Sequence, residues 1–158
     1  MVSFFATFSV APESGIAQIL AVIGVLVLTP VFYALYLVHR SESAALSLAG
    51  FILWIPAGIL DIASLLSPAN TLLYAIDSIV FSLPFFIFGF LEYRSTEMSR
   101  GLALVALLSG VFYLVAGVAS FSGSETVGMI GGFVGLIFML VWFAWLARIF
   151  LSKKPAVA

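Results

Sequence analysis

Long apolar runs decide what this chain can fold into. Five stretches of 21 to 24 residues, at about 15–38, 44–66, 69–91, 101–121 and 126–147, are almost free of charge. A helix rises 1.5 Å per residue, so about 20 such residues cross roughly 30 Å of hydrocarbon. The runs are continuous rather than alternating, which predicts helices and not the strands of a barrel. The expectation is an all-α integral membrane protein, a five-transmembrane-helix bundle over residues 15–150. Composition agrees. The chain is 64% hydrophobic and 8% charged, against about 45–50% and 25% for soluble domains. An ordinary soluble globule and a disordered tail are thereby excluded. The net charge of −1 gives no field to attract a polyanion, so no nucleic acid is expected as partner.

The joints between runs read as helix ends. Ser41-Glu42-Ser43 follows His39-Arg40, Ser67-Pro68-Ala69-Asn70-Thr71 is a short turn, and Ser122-Gly123-Ser124-Glu125 fits a capping box. Five crossings place Arg40, Arg94, Arg100, Arg148, Lys153 and Lys154 on one face and no Lys or Arg on the other. That bias predicts the N-terminus outside and the C-terminus cytoplasmic, in a multi-pass protein of the cell membrane. Tyr33, Tyr36, Tyr93, Trp142 and Trp145 fall towards the cytoplasmic ends, where an aromatic belt is expected. Residues 1–14 carry Phe4, Phe5 and Phe8 without a basic n-region. They are expected to be an apolar outer arm rather than a signal peptide, resting on the bundle, in the headgroups or on a partner subunit. Residues 151–158 form a short basic cytoplasmic tail.

Two carboxylates interrupt the apolar runs, Asp61 in the second and Asp77 in the third. Asp61 stands eight residues before Ala69 and Asp77 eight after it. An antiparallel hairpin therefore sets both at one depth, about 12 Å of helix from the turn. Two carboxylates close together in low dielectric cannot both ionise cheaply, so a proton would be shared. Intramembrane acids of this kind point to a proton relay or cation site. Packing glue is the competing role, because Tyr74 lies three residues before Asp77 and Ser64 three after Asp61, each on its aspartate's face.

Other features leave alternatives open. Pro30, Pro56 and Pro84 lie inside the first three runs, where each removes a backbone hydrogen bond. They predict either packing kinks or a hinged cavity. Trp54 stands near mid-membrane, its indole N–H in need of an acceptor; the carbonyls freed by Pro56 are the nearest. Phe81, Phe85, Phe86, Phe88 and Phe90 go almost round the third helix and are expected mainly to face lipid. Gly128, Gly131, Gly132 and Gly135 make two overlapping G-x-x-x-G pairs, a helix-packing stripe. Ala106 and Gly110 offer the fourth helix a matching notch within the chain; a second chain is the other possible neighbour.

Much chemistry is absent from the sequence. With no Cys there is no disulfide, thiolate metal site or Cys nucleophile. The single His39, beside Arg40 at a helix end, is expected to face solvent or cap the helix. It is a candidate axial ligand for a haem or pigment, with no second His for bis-His ligation, and no cofactor is expected. No phosphate-binding glycine loop, H-E-x-x-H helix or G-x-S-x-G elbow occurs, and there is no internal repeat. The chain is therefore expected to be a non-enzyme. The first function expected is a small non-catalytic subunit of a larger, energy-transducing membrane complex, whose partners are the lipid bilayer and other membrane subunits or itself. The alternatives are a proton- or cation-linked transporter or channel using the Asp pair, and an intramembrane binder of lipid, quinone or pigment.

Overall fold

The computed structural model describes residues 15–67, 69–96 and 98–152. The expected outer arm with Phe4, Phe5 and Phe8, Pro68 of the turn, and Lys153 and Lys154 of the tail lie outside the described residues. Four helices follow in order: α1 (Gly15–Leu66), α2 (Thr71–Arg94), α3 (Arg100–Phe121) and α4 (Glu125–Ser152). Among the described residues there is no strand. All four helices are long and apolar enough to cross a membrane, which is consistent with a multi-pass membrane protein.

The sequence predicts two helices over residues 15–66, and the structure has one element of 52 residues broken at a single residue. Ser43 has extended backbone angles, φ −158° and ψ 97°. The chain reverses there. Trp54 Nε1 donates to Thr29 Oγ1 at 3.0 Å, and Phe32 stacks on Trp54 with ring centroids 4.1 Å apart. Tyr36 meets Phe51 at 6.2 Å, and Val25 packs on Gly58. Residues rising along one arm thus pair with residues falling along the other, so the arms lie antiparallel. No loop is needed because Ser47 Oγ donates to the Ser43 carbonyl at 2.8 Å and the Ser43 hydroxyl caps the Leu46 N–H at 3.4 Å.

Side-chain caps fix the other ends. Asn70 accepts from the Leu73 N–H at 3.0 Å and starts α2; Ser99 accepts from the Leu102 N–H at 3.2 Å and starts α3. Gly123, at φ +83°, supplies the left-handed turn between α3 and α4. Two helices outrun their expected ends, α2 to Arg94 and α4 to Ser152. Nothing in Glu92-Tyr93-Arg94 breaks a helix, so α2 continues until the Ser95 N–H closes on the Leu91 carbonyl at 2.9 Å.

Helix α2 is the central element. It packs on α1 and on α3, and on α4 through Phe85 and Trp142, 5.3 Å apart. Phe81, Phe85 and Phe88 are buried, contrary to the expectation that the phenylalanines mainly face lipid; of the five, only Phe90 is exposed, at 45%. The belt assignment also fails for Trp142, which is buried against Phe32, Phe85 and Phe143. Rings recruit rings, and a residue three turns from a helix end is decided by its rotation rather than its depth. The outer surface is apolar, with Leu26, Ile59, Phe121 and Ile130 each at least 60% exposed, which water would not tolerate over so large an area.

The glycine stripe is used inside the chain. A methyl on Gly131 would stand 3.1 Å from the Ala116 amide and the Phe112 carbonyl of α3, and one on Gly135 3.2 Å from Tyr113. Ser109 Oγ crosses the same seam to donate to the Gly135 carbonyl at 3.0 Å. Backbones this close are what small residues permit between membrane helices.

Candidate functional site

The two aspartates are brought to the same region by the α1–α2 hairpin. Asp77 is 6% exposed. Ser64 Oγ lies 3.0 Å from Asp77 Oδ2 and 2.9 Å from the Asp61 carbonyl oxygen, so one serine joins the two helices. A hydroxyl has a single proton to give. With a carboxylate at 77, Ser64 serves either the carboxylate or the carbonyl. With a carboxylic acid there, Asp77 Oδ2 donates to Ser64 and Ser64 donates on to the Asp61 backbone carbonyl, so both contacts of the serine are made at once. Asp77 Oδ1 is buried and has no hydrogen-bond partner among the described residues. Asp61 is half-buried on the facing helix, close enough for its charge to bear on Asp77.

Tyrosines extend the cluster to the other helices. Tyr74 stands one turn before Ser78 on α2, and its hydroxyl fills the space where a Gly132 side chain would be, 2.6 Å from that Cβ position. Gly132, expected in a packing stripe, therefore makes room for a polar group. Tyr113 of α3 meets the Phe81 ring of α2 at 5.0 Å between centroids, and its hydroxyl reaches Met139 Sδ at 3.8 Å. The sequence reading missed Tyr113 and Ser78. A tyrosine in mid-helix among apolar residues was the available signal.

Below this cluster the bundle is filled with rings. Trp54 is 1% exposed, and its indole bonds the Thr29 hydroxyl rather than a carbonyl freed by Pro56. Thr29 itself donates to the Val25 carbonyl at 2.7 Å, one turn back on its own arm. Pro30 and Pro56 stand on the exposed side of their arms, and Pro84 is buried. No non-helical angle accompanies any of the three; the only one in α1 is at Ser43. Phe32, Trp54, Phe81, Phe85 and Trp142 close the space between them in a continuous aromatic layer.

A second polar group lies beyond that layer, at the end of the bundle where Arg40, Arg94, Arg100 and Arg148 are exposed. Glu92 of α2 is fully buried, both carboxylate oxygens 3.0 Å from Trp142 Nε1. His39 is also fully buried, which corrects its expected solvent exposure; Nδ1 lies 3.1 Å from Glu42 Oε2, and Nε2 has no partner among the described residues. The apolar run expected over 69–91 ends just before Glu92, which therefore falls outside every span read from the sequence. Its indole partner is 50 residues away, beyond the reach of any local pattern.

No three metal-ligating side chains converge among the described residues. No protein-family model, curated protein or solved structure matches the chain.

Proposed function

We propose that the protein is a small proton-linked channel or carrier of the cell membrane, crossing it five times with the N-terminus outside and the C-terminus in the cytoplasm. Protons bind at Asp77, whose carboxyl Ser64 meets from the facing helix, with Asp61 on that helix as the second acid. The reversal at Ser43 supports five crossings, since 52 unbroken helical residues would extend about 78 Å, more than twice a bilayer's core. The four described arginines at one end of the antiparallel bundle support the orientation.

The observation that carries the proton reading is Asp77 itself. It is buried, joined by Ser64 to the facing helix, and one of its oxygens has no partner. Packing glue would have both oxygens satisfied, because an unpaired buried polar atom costs about 1–3 kcal/mol. The sequence places no Lys or Arg between Arg40 and Arg94, so no cation from either helix neutralises the pair. A proton fits two facing acids and a serine better than a coordinated metal ion does, since that would want a larger set of ligands. The accessory-subunit reading loses the glycine stripe as a support, for α4 uses it against α3.

The test is proton flux into liposomes carrying the purified variants. Asp77→Asn is expected to lower flux at least tenfold with an unchanged elution profile and melting temperature. Ser64→Ala is expected to lower it severalfold. Wild-type flux in Asp77→Asn contradicts the proposal.

A further inference from the structure

We propose that Glu92 is a second intramembrane proton-binding site, reached from the arginine-bearing end of the bundle through His39. Helix α2 carries Asp77 and Glu92 fifteen residues apart, about 22 Å along the axis and about 60° apart in rotation. Both are buried on the inward side. Each therefore lies towards one end of the same central helix, with Phe81, Phe85 and Phe88 between them.

Glu92 is held in a way that leaves room for a proton. A carboxylate offers about four acceptor positions, and among the described residues the Trp142 N–H, shared between the two oxygens, is the single donor to them. The cations at this end are engaged elsewhere. The Arg94 guanidinium lies 5.6 Å from the Phe90 ring and that of Arg100 5.8 Å from the Tyr93 ring, both on the exposed side. Arg40 of α1 and Arg148 of α4 are exposed, and among the described residues none forms an ion pair with Glu92. A fully buried carboxylate with no counter-cation is costly, and binding a proton removes that cost.

His39 supplies the route. Its ring lies 6.4 Å from that of Phe88, one helical turn before Glu92 on the same face of α2. Nε2 is buried with no partner, while Nδ1 pairs with Glu42, whose side chain is 31% exposed. An imidazole with a carboxylate on one nitrogen and a free second nitrogen can take a proton on one side and release it on the other. Among the described residues, the titratable and charged groups at this end are His39, Arg40 and Glu42 from α1, Tyr93 and Arg94 on α2, Arg100 from α3 and Arg148 from α4. Only the role of Glu92 in transport rests on the proposed proton-linked function; its proton binding stands on its own geometry.

The experiment is infrared difference spectroscopy of the full chain in lipid nanodiscs, titrated between about pH 4 and pH 10. A protonated-carboxyl C=O band is expected to titrate in the wild type, to lose one component in Glu92→Gln, and to keep that component in Asp77→Asn. Should Glu92→Gln not assemble, Trp142→Phe takes its place and must shift the same component, because it removes the one hydrogen bond to Glu92. His39→Gln is expected to slow protonation of that component after a pH jump severalfold. Superimposable titrations of wild type and Glu92→Gln overturn the proposal, as does an unshifted band in Trp142→Phe. Flux that survives in Asp77→Asn would instead defeat the transport reading and leave the Glu92 band in place.

Discussion

Thr29 shows how a single side chain settles a mid-membrane residue. Its hydroxyl accepts from the Trp54 indole at 3.0 Å while donating to the Val25 carbonyl at 2.7 Å, so one oxygen satisfies two groups on two arms of α1. Thr29→Val keeps the shape and removes both bonds. Interhelical hydrogen bonds in membranes average about 0.6 kcal/mol and reach about 1.7; the buried N–H left unpaired puts the expected loss near the upper figure. Unfolding by a denaturing detergent measures it, and Thr29→Ser is expected to recover most of the loss. An undiminished stability in Thr29→Val would mean that the indole finds another acceptor. Such pairings were not legible in the sequence, because Thr29 and Trp54 are 25 residues apart and helix rotation decides their meeting. The same limit hid Glu92 with Trp142. For Asp61 and Asp77 the equal depth was readable from the symmetric spacing about Ala69, whereas the serine that joins them required the structure.

Helices pair here through small residues, and the close approaches differ from one glycine to the next. A Cβ on Gly117 would come within 2.7 Å of the Ala75 carbonyl of α2, and one on Gly131 within 3.1 Å of the α3 backbone; Gly24 has nothing within 4 Å. Gly117→Leu and Gly131→Leu are therefore expected to push helices apart and lower stability by about 1–3 kcal/mol or more. Gly24→Leu is expected to leave the melting temperature unchanged. If Gly131→Leu dissociated an oligomer with the fold intact, the stripe would belong to an interface between chains. At this scale the sequence was a good guide to where helices lie, because hydrocarbon thickness and capping residues such as Asn70 and Ser99 act locally. It was a poor guide at residues 41–43, where three polar residues promised a loop and one extended serine sufficed. The topology is tested by cysteine labelling, made clean by the absence of native cysteines. Cysteines at positions 69 and 124 are expected to react from outside intact cells, and those at 43 and 96 only after permeabilisation. Reaction of positions 43 and 69 from the same side would contradict the hairpin.

Across the whole molecule, polar chemistry is held at two levels and separated by rings. Asp61, Ser64, Asp77 and Tyr74 lie towards the 67–70 turn; His39 and Glu92 lie towards the arginine-bearing end; Phe32, Trp54, Phe81, Phe85 and Trp142 fill the space between. The upper level was foreseen because aspartate is conspicuous in an apolar run. The lower one was not, because a glutamate beside Arg94 and a histidine beside Arg40 resemble the ordinary charged ends of helices. The aromatic layer fills the space between the two levels, so the proposed proton path would need these rings to part. The measurement that bears most directly on the account is proton flux by the purified chain alone, in liposomes with an imposed pH gradient and an entrapped pH-sensitive dye. The account predicts that the gradient collapses faster than in protein-free liposomes, in proportion to the amount of protein. A chain that is folded and monodisperse yet leaves the gradient at the protein-free rate would contradict it, and would return the protein to the role of a subunit whose function belongs to a larger complex.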